Sequence, residues 1–257
     1  KVVSRLFGSF DLNEKSKWDQ LFECAIEAAR KGRPSVLSVI FRGALDRDVV
    51  KAGDTHYLPV AALSGNVDIF KKIKDKVLPG TSDLPDGCHN LLFNAIHSEN
   101  IAMLRVVLKN FPKTISILDE GGRNPLHWAS FLGNPGIMSA LLEKFPDQLL
   151  AKDNVGRTAL HYAAMGNRYK PKREAVKIIL EGLRAIAQDS DKFNLEGLHF
   201  PEFAGSPLTG DNLQCYKNHL NHQDDQGGTA LHCIRRVDSL GPELVEQLDQ
   251  FQGEVTA

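Results

Sequence analysis

A fixed period of 34 residues constrains this chain more than any other feature of its sequence. Leu58, Leu92, Leu126 and Leu160 recur at that spacing, and so do Ala61, Ala95, Ala129 and Ala163. Two independent columns on one period mark a tandem array, and a unit this short cannot close a core alone, so it must stack on its neighbours. Further columns keep their chemical type: Ile73, Val107 and Leu141; Val77, Phe111 and Phe145; Ile115 and Leu149; Asp119 and Asp153; Gly122 and Gly156. The apolar spacing within a unit is helical, as in Ile137-Met138-Ser139-Ala140-Leu141-Leu142 and Ala175-Val176-Lys177-Ile178-Ile179-Leu180.

The content of the period is specific. Asp119 to Asn134 reads DEGGRNPLHWASFLGN, Asp153 to Asn167 reads DNVGRTALHYAAMGN, and Asp224 to Ile234 reads DDQGGTALHCI. Weaker copies in frame are Tyr57 to Asn66 (YLPVAALSGN), Leu91 to Asn100 (LLFNAIHSEN) and Cys24 to Gly32 (CAIEAARKG). These segments resemble the ankyrin repeat, whose signature is D-x-x-G-x-T-P-L-H-x-A-A-x-x-G and whose length is about 33 residues. The glycine permits a positive φ in a tight turn, the threonine starts a helix by local hydrogen bonding, and proline suits a first helical turn. The resemblance implies an all-α solenoid of stacked helix-turn-helix units with β-turn or hairpin tips. About six units are expected over residues 16–50, 54–84, 86–118, 119–152, 153–188 and 224–257 of one domain spanning the chain.

The register breaks once. His161 and His232 are 71 residues apart, roughly one period more than the array requires. The second helix of the fifth unit is expected from near Lys172 to about Gln188, and residues 189–223 read as an insertion rich in Gly, Pro, Ser and Asn. A degenerate repeat is the other reading of the same length. Phe193, Phe200 and Phe203 suit a segment that folds back on the array. At the ends, Asp19, Gln20, Glu23 and Glu27 fit a solvent-facing first unit, and the acidic and amide-rich ELVEQLDQFQGE after Pro242 fits a last one.

Composition excludes several classes of function. Lys and Arg number 31 against 32 Asp and Glu, which leaves no net field to draw the chain onto nucleic acid or an anionic membrane. No apolar run reaches the length of a membrane span, and the first ten residues lack the layout of a signal peptide. The chain opens on Lys1 rather than Met, so the expectation is a fragment of a longer protein. Cys24, Cys88, Cys215 and Cys233 are scattered in a chain large enough not to need disulfides, which points to reduced thiols and an intracellular setting, with the cytoplasm first and the nucleus or a host-cell cytosol as alternatives.

Candidate chemistry is sparse. His127, His161 and His232 hold the signature position at which, as the resemblance implies, histidine bonds backbone between repeats, so they read as scaffold. Cys215, His219 and His222 form C-x3-H-x2-H, with His199 as a fourth donor for zinc, but no second close pair completes a finger and the expectation is no metal. No nucleophile elbow, Walker A loop, dinucleotide fingerprint or H-E-x-x-H is present, and neither catalysis nor a cofactor is expected. Gly205 to Gly210 is a turn-rich loop with no helix in register to cradle a phosphate. Lys170 to Arg173 (KPKR) reads as a solvated basic turn.

The resemblance also implies where a partner docks, namely the turn tips and the inner face of the first helices. In register these are Leu63, Ser64, His97, Ser98, Phe131, Leu132 and Met165, with Glu120, Gly121, Arg123, Asn154, Val155 and Arg157 on the tips. Phe131, Leu132 and Met165, beside Trp128 and Tyr162 and flanked by Arg123 and Arg157, are expected to form an exposed apolar patch for a protein segment or peptide on a monomeric scaffold or adaptor. Two other classes fit the same sequence. One is the targeting or regulatory region of a larger enzyme, channel or bacterial effector; the other is a metal or catalytic site built by the insertion.

Overall fold

The structure is a computed structural model that describes residues 15–30, 35–46, 48–80, 83–166, 173–188 and 223–225, with 227 and 229. The expectations for residues 189–222, for the KPKR turn before Arg173 and for the chain beyond 229 fall outside the described residues. Two compact units divide the chain, Lys1–Ile117 and Leu118–Ala257.

The first unit holds helices α1 (Lys15–Arg30), α2 (Ser35–Asp46), α3 (Tyr57–Leu63), α4 (Val67–Val77), α5 (Leu91–His97) and α6 (Ile101–Asn110). The second holds α7 (Pro125–Leu132), α8 (Pro135–Lys144), α9 (Ala159–Met165) and α10 (Arg173–Gln188). No strand occurs among the described residues, which include an isolated antiparallel bridge between Gln223 and Thr229. The architecture is all-α, as the sequence pattern requires.

The leucine and alanine columns form the core of each unit. Leu58, Leu92, Ala61 and Ala95 are fully buried in the first, and Leu126, Leu160, Ala129 and Ala163 in the second. The alanines carry no side chain beyond Cβ, so α3 lies close against α5, and α7 against α9, while the leucines fill the space between. In the first unit an aromatic cluster closes the N-terminal side: the Phe22 ring lies 4.6 Å from Phe41 and 4.8 Å from Tyr57, whose hydroxyl donates to Asp19 Oδ1 at 2.9 Å.

Helix length is punctuated by sequence. Asn66, Asn100 and Asn134, 34 residues apart, are the N-caps of α4, α6 and α8, and each side-chain oxygen accepts a backbone N–H of its helix's first turn. Asn100 also donates its amide to the Gly65 carbonyl at 2.8 Å, tying one helix pair to the previous one. At the other end Leu78, Phe111 and Phe145 leave the helical region with ψ near 65°, because each precedes a proline whose ring disfavours helix in the residue before it. Pro112 and Pro146 then open short 3-10 turns, Pro112–Ser116 and Pro146–Leu149.

Tip turns of the second unit stack by a repeated bond. Asn154 N donates to the Gly121 carbonyl at 2.9 Å, and in the same register Asp225 N donates to the Val155 carbonyl at 3.2 Å. Gly122, Gly156 and Gly227 hold the matching turn position with φ of 72°, 75° and 72°. At Gly122 the positive φ is joined by a close approach, since a Cβ there would stand 2.2 Å from Asn154 Oδ1.

Candidate protein-binding face

In the second unit the start of each short helix is fixed by a histidine. Asn124 caps α7 by accepting from His127 N at 2.9 Å, and His127 Nδ1 accepts from Asn124 N at 3.0 Å. With Nδ1 an acceptor, the ring proton sits on Nε2, which donates to the carbonyls of Ala151 at 3.2 Å and Arg157 at 3.1 Å. The His127 ring is wholly buried, and burial pushes it down to about 4, with Asp153 and the two carbonyls offsetting only part of that fall. His161 repeats the cap on α9, with Nδ1 accepting from Thr158 N at 3.2 Å. Both histidines are scaffold parts, while His232 lies outside the described residues.

Two aspartates, one per tip, organise the aromatic side chains. Asp119 Oδ1 accepts from the backbone of Gly121 and Arg123, both at 2.9 Å, and Oδ2 accepts from Arg123 Nε at 2.6 Å and Trp128 Nε1 at 2.8 Å. Arg123 therefore lies over the Trp128 ring, with Cζ 4.6 Å from its centroid. Burial raises the Asp119 carboxyl, but the donors from Arg123 and Trp128 outweigh it and hold the group below its ordinary value. Asp153 takes the same part in the next tip: Oδ1 accepts from Val155 N at 2.9 Å and Arg157 N at 2.7 Å, and Oδ2 accepts from the Tyr162 hydroxyl at 2.6 Å. Burial, then this bond, pushes Tyr162 up to about 12, against the opposing charges of Arg123 and Arg157. Arg157 Nε reaches on to Asp224 Oδ2 at 3.5 Å.

These anchors set a row of rings in edge contact. Trp128 meets Phe131 at 6.3 Å and Phe131 meets Tyr162 at 6.4 Å, both near perpendicular, and Tyr162 meets His127 at 5.2 Å and 67°. Trp128, Phe131, Leu132 and Met165 are half-buried, as are Arg123 and Arg157, so the row is a partly sunken face. Tyr162 is only 7% exposed, because its hydroxyl is drawn onto Asp153 while its ring lies against His127. Glu120, Asn154 and Val155 are exposed on the tips, Val155 at 39%.

In the first unit, Leu63 is 4% exposed, held inside where the short helix α3 packs against α4 and α5. Ser64 is buried and donates to the Ala61 carbonyl at 2.6 Å, and Ser98 donates to the Ala95 carbonyl at 2.7 Å, so both hydroxyls are turned back onto their own helices. His97 is half-buried, with Nδ1 3.3 Å from the Phe93 carbonyl. Of the inner-row positions in this unit, Leu63 and Ser64 are therefore closed off, whereas His97 and Ser98 keep partial exposure.

Asp119, Asp153 and Asp224, absent from the expected set of site residues, organise this face. The signal was present as a constant spacing of nine residues from Asp119 to Trp128 and from Asp153 to Tyr162. No cluster of three or more His, Cys, Asp or Glu able to hold a metal occurs among the described residues, and Cys215, His219, His222 and His199 lie outside them. No described helix is long and apolar enough to cross a membrane.

No curated protein matches the chain. Ankyrin repeats are in general protein–protein interaction modules. Residues 92–189, which run from within α5 to α10 and carry both aspartate-anchored tips, match the family model described as Ankyrin repeats (3 copies).

Proposed function

We propose that the chain is a non-catalytic scaffold or adaptor that binds a segment of another protein on the face formed by Trp128, Phe131, Leu132 and Met165. The observation that carries this reading is the anchored row of rings. Each aromatic has a fixed hydrogen-bond or edge partner, yet Trp128, Phe131, Leu132 and Met165 retain accessible apolar surface beside Arg123 and Arg157. Rigid aromatic and arginine groups lose little conformational entropy on binding, and they dominate the energetics of protein interfaces. Leu63 and Tyr162 take no direct part in this proposal, being closed off in their units.

Six repeats with an insertion at 189–223 remain the proposed organisation of the chain. The tip bond from Asp225 N to the Val155 carbonyl, and the Arg157–Asp224 pair, support seating the last unit in register on the fifth. The test of function is a pull-down comparing the intact chain with Phe131→Ala/Leu132→Ala, after circular dichroism has confirmed that both fold. A partner lost only in the variant is expected. A partner retained by both moves binding away from this face.

A further inference from the structure

The two arginines beside the ring row are held in place by their inner edges. Arg123 Nε is spent on Asp119 and Arg157 Nε on Asp224, while the terminal Nη groups of both make no hydrogen bond among the described residues. Both side chains keep partial exposure, 34% for Arg123 and 27% for Arg157. Arg123 is further immobilised by lying over the Trp128 ring. A guanidinium fixed through Nε presents its Nη pair as a planar fork, the geometry that receives a carboxylate through two parallel bonds.

The neighbouring aspartates do not close this opportunity. Asp119 already accepts four donors and Asp153 three, which include two backbone N–H groups each. Their charge is thus turned inward and met by the tips themselves. The Arg157–Asp224 contact, at 3.5 Å, is long for a charge-assisted bond and leaves Arg157 able to engage a second anion. Next to these forks, the half-buried Phe131 and Leu132 offer an apolar floor from which water is partly excluded, where a paired charge interacts more strongly than at an open surface.

Resting on the binding face proposed above, we infer that its occupant is a peptide segment in which an Asp or Glu side chain stands next to a large apolar residue. The carboxylate is received by the Nη groups of Arg123 or Arg157, and the apolar side chain packs on Phe131 and Leu132.

The experiment is selection from a displayed library of random peptides on the intact chain, followed by fluorescence anisotropy with synthetic copies of the enriched sequences. Enriched peptides are expected to carry an acidic residue beside an aromatic or aliphatic one. Replacing that acid by its amide in the peptide should weaken binding about tenfold, as loss of a charge-assisted bond does. Arg123→Gln or Arg157→Gln should weaken the acidic peptide by a similar factor and the amide peptide by less. The peptide-side change leaves the protein untouched, so it reads the interaction even where an arginine variant disturbs its tip. Peptides that lose binding to Phe131→Ala/Leu132→Ala but carry no acid, or bind both arginine variants as well as the intact chain, would overturn the inference and leave the face standing. Peptides indifferent to Phe131→Ala/Leu132→Ala, or no enrichment at all, would remove the face itself.

Discussion

Acidification should unfasten the second unit at His127. The neutral ring is required there twice, since Nδ1 must be bare to accept from Asn124 N while Nε2 donates to the Ala151 and Arg157 carbonyls. A second proton would turn the Nδ1 acceptor into a donor facing another donor, inside a fully buried site. Burial lowers the folded-state value from 6.5 to about 4. Between those values the unfolded chain binds the proton and the folded one does not, so stability is complete above the unfolded value and falls as pH drops towards the folded one. The whole interval corresponds to about 3 kcal/mol, a large share of the stability of an ordinary domain. Urea unfolding followed by circular dichroism between about pH 7 and about pH 4 reads this loss. Other groups titrate in that range, so the informative quantity is the difference from His127→Gln, which cannot gain the proton and whose amide suits the third helical position of a capping box. The variant is expected to be less stable at neutral pH but to lose less on acidification. Parallel pH profiles for the two proteins would refute the reasoning.

Three further perturbations follow from the same geometry. Gly122→Ala combines a positive φ with a methyl 2.2 Å from Asn154 Oδ1, and should cost about 2 kcal/mol or more in urea unfolding. Ser130, fully buried on α7 with a hydroxyl that has no partner among the described residues, should tolerate Ser130→Ala with a gain of about 1 kcal/mol; a loss would mean that the hydroxyl is satisfied by bound water. Asn134→Ala removes the N-cap of α8 and should cost about 1 kcal/mol, restored in large part by Asn134→Ser, with thermal melting as the assay.

What could be read from the sequence follows from what repeats within it. Leu126, Leu160, Ala129 and Ala163 are buried because one side chain meets the same neighbours once per period, so a column in the sequence is a column in the core. Gly122 and Gly156 were legible for a similar reason, as a turn with positive φ admits few other residues. The exposure of the proposed face was less legible. Tyr162 and Trp128 occupy the same register, but a phenol hydroxyl and an indole N–H reach their aspartates from different depths, and only Trp128 stays half-exposed. Leu63 lies in the inner row by register, yet it is closed off by the packing of α3, which no count of residues within one unit reveals. The Arg157–Asp224 contact joins residues 67 apart across the irregular stretch of the sequence, where the period offers no guide.

The bifurcated hydrogen bond from His127 Nε2 has a bearing on the order in which the chain can become structured. α7 is complete as a polypeptide at Leu132, but the imidazole that finishes its first turn has its acceptors at Ala151 and Arg157, in the following repeat. During synthesis from the N-terminus the Asn124–His127 cap can close within α7, but the Nε2 proton finds its acceptors only when the next tip has emerged. A chain halted between Leu132 and Ala151 would leave the buried Nε2–H of His127 without its carbonyl acceptors.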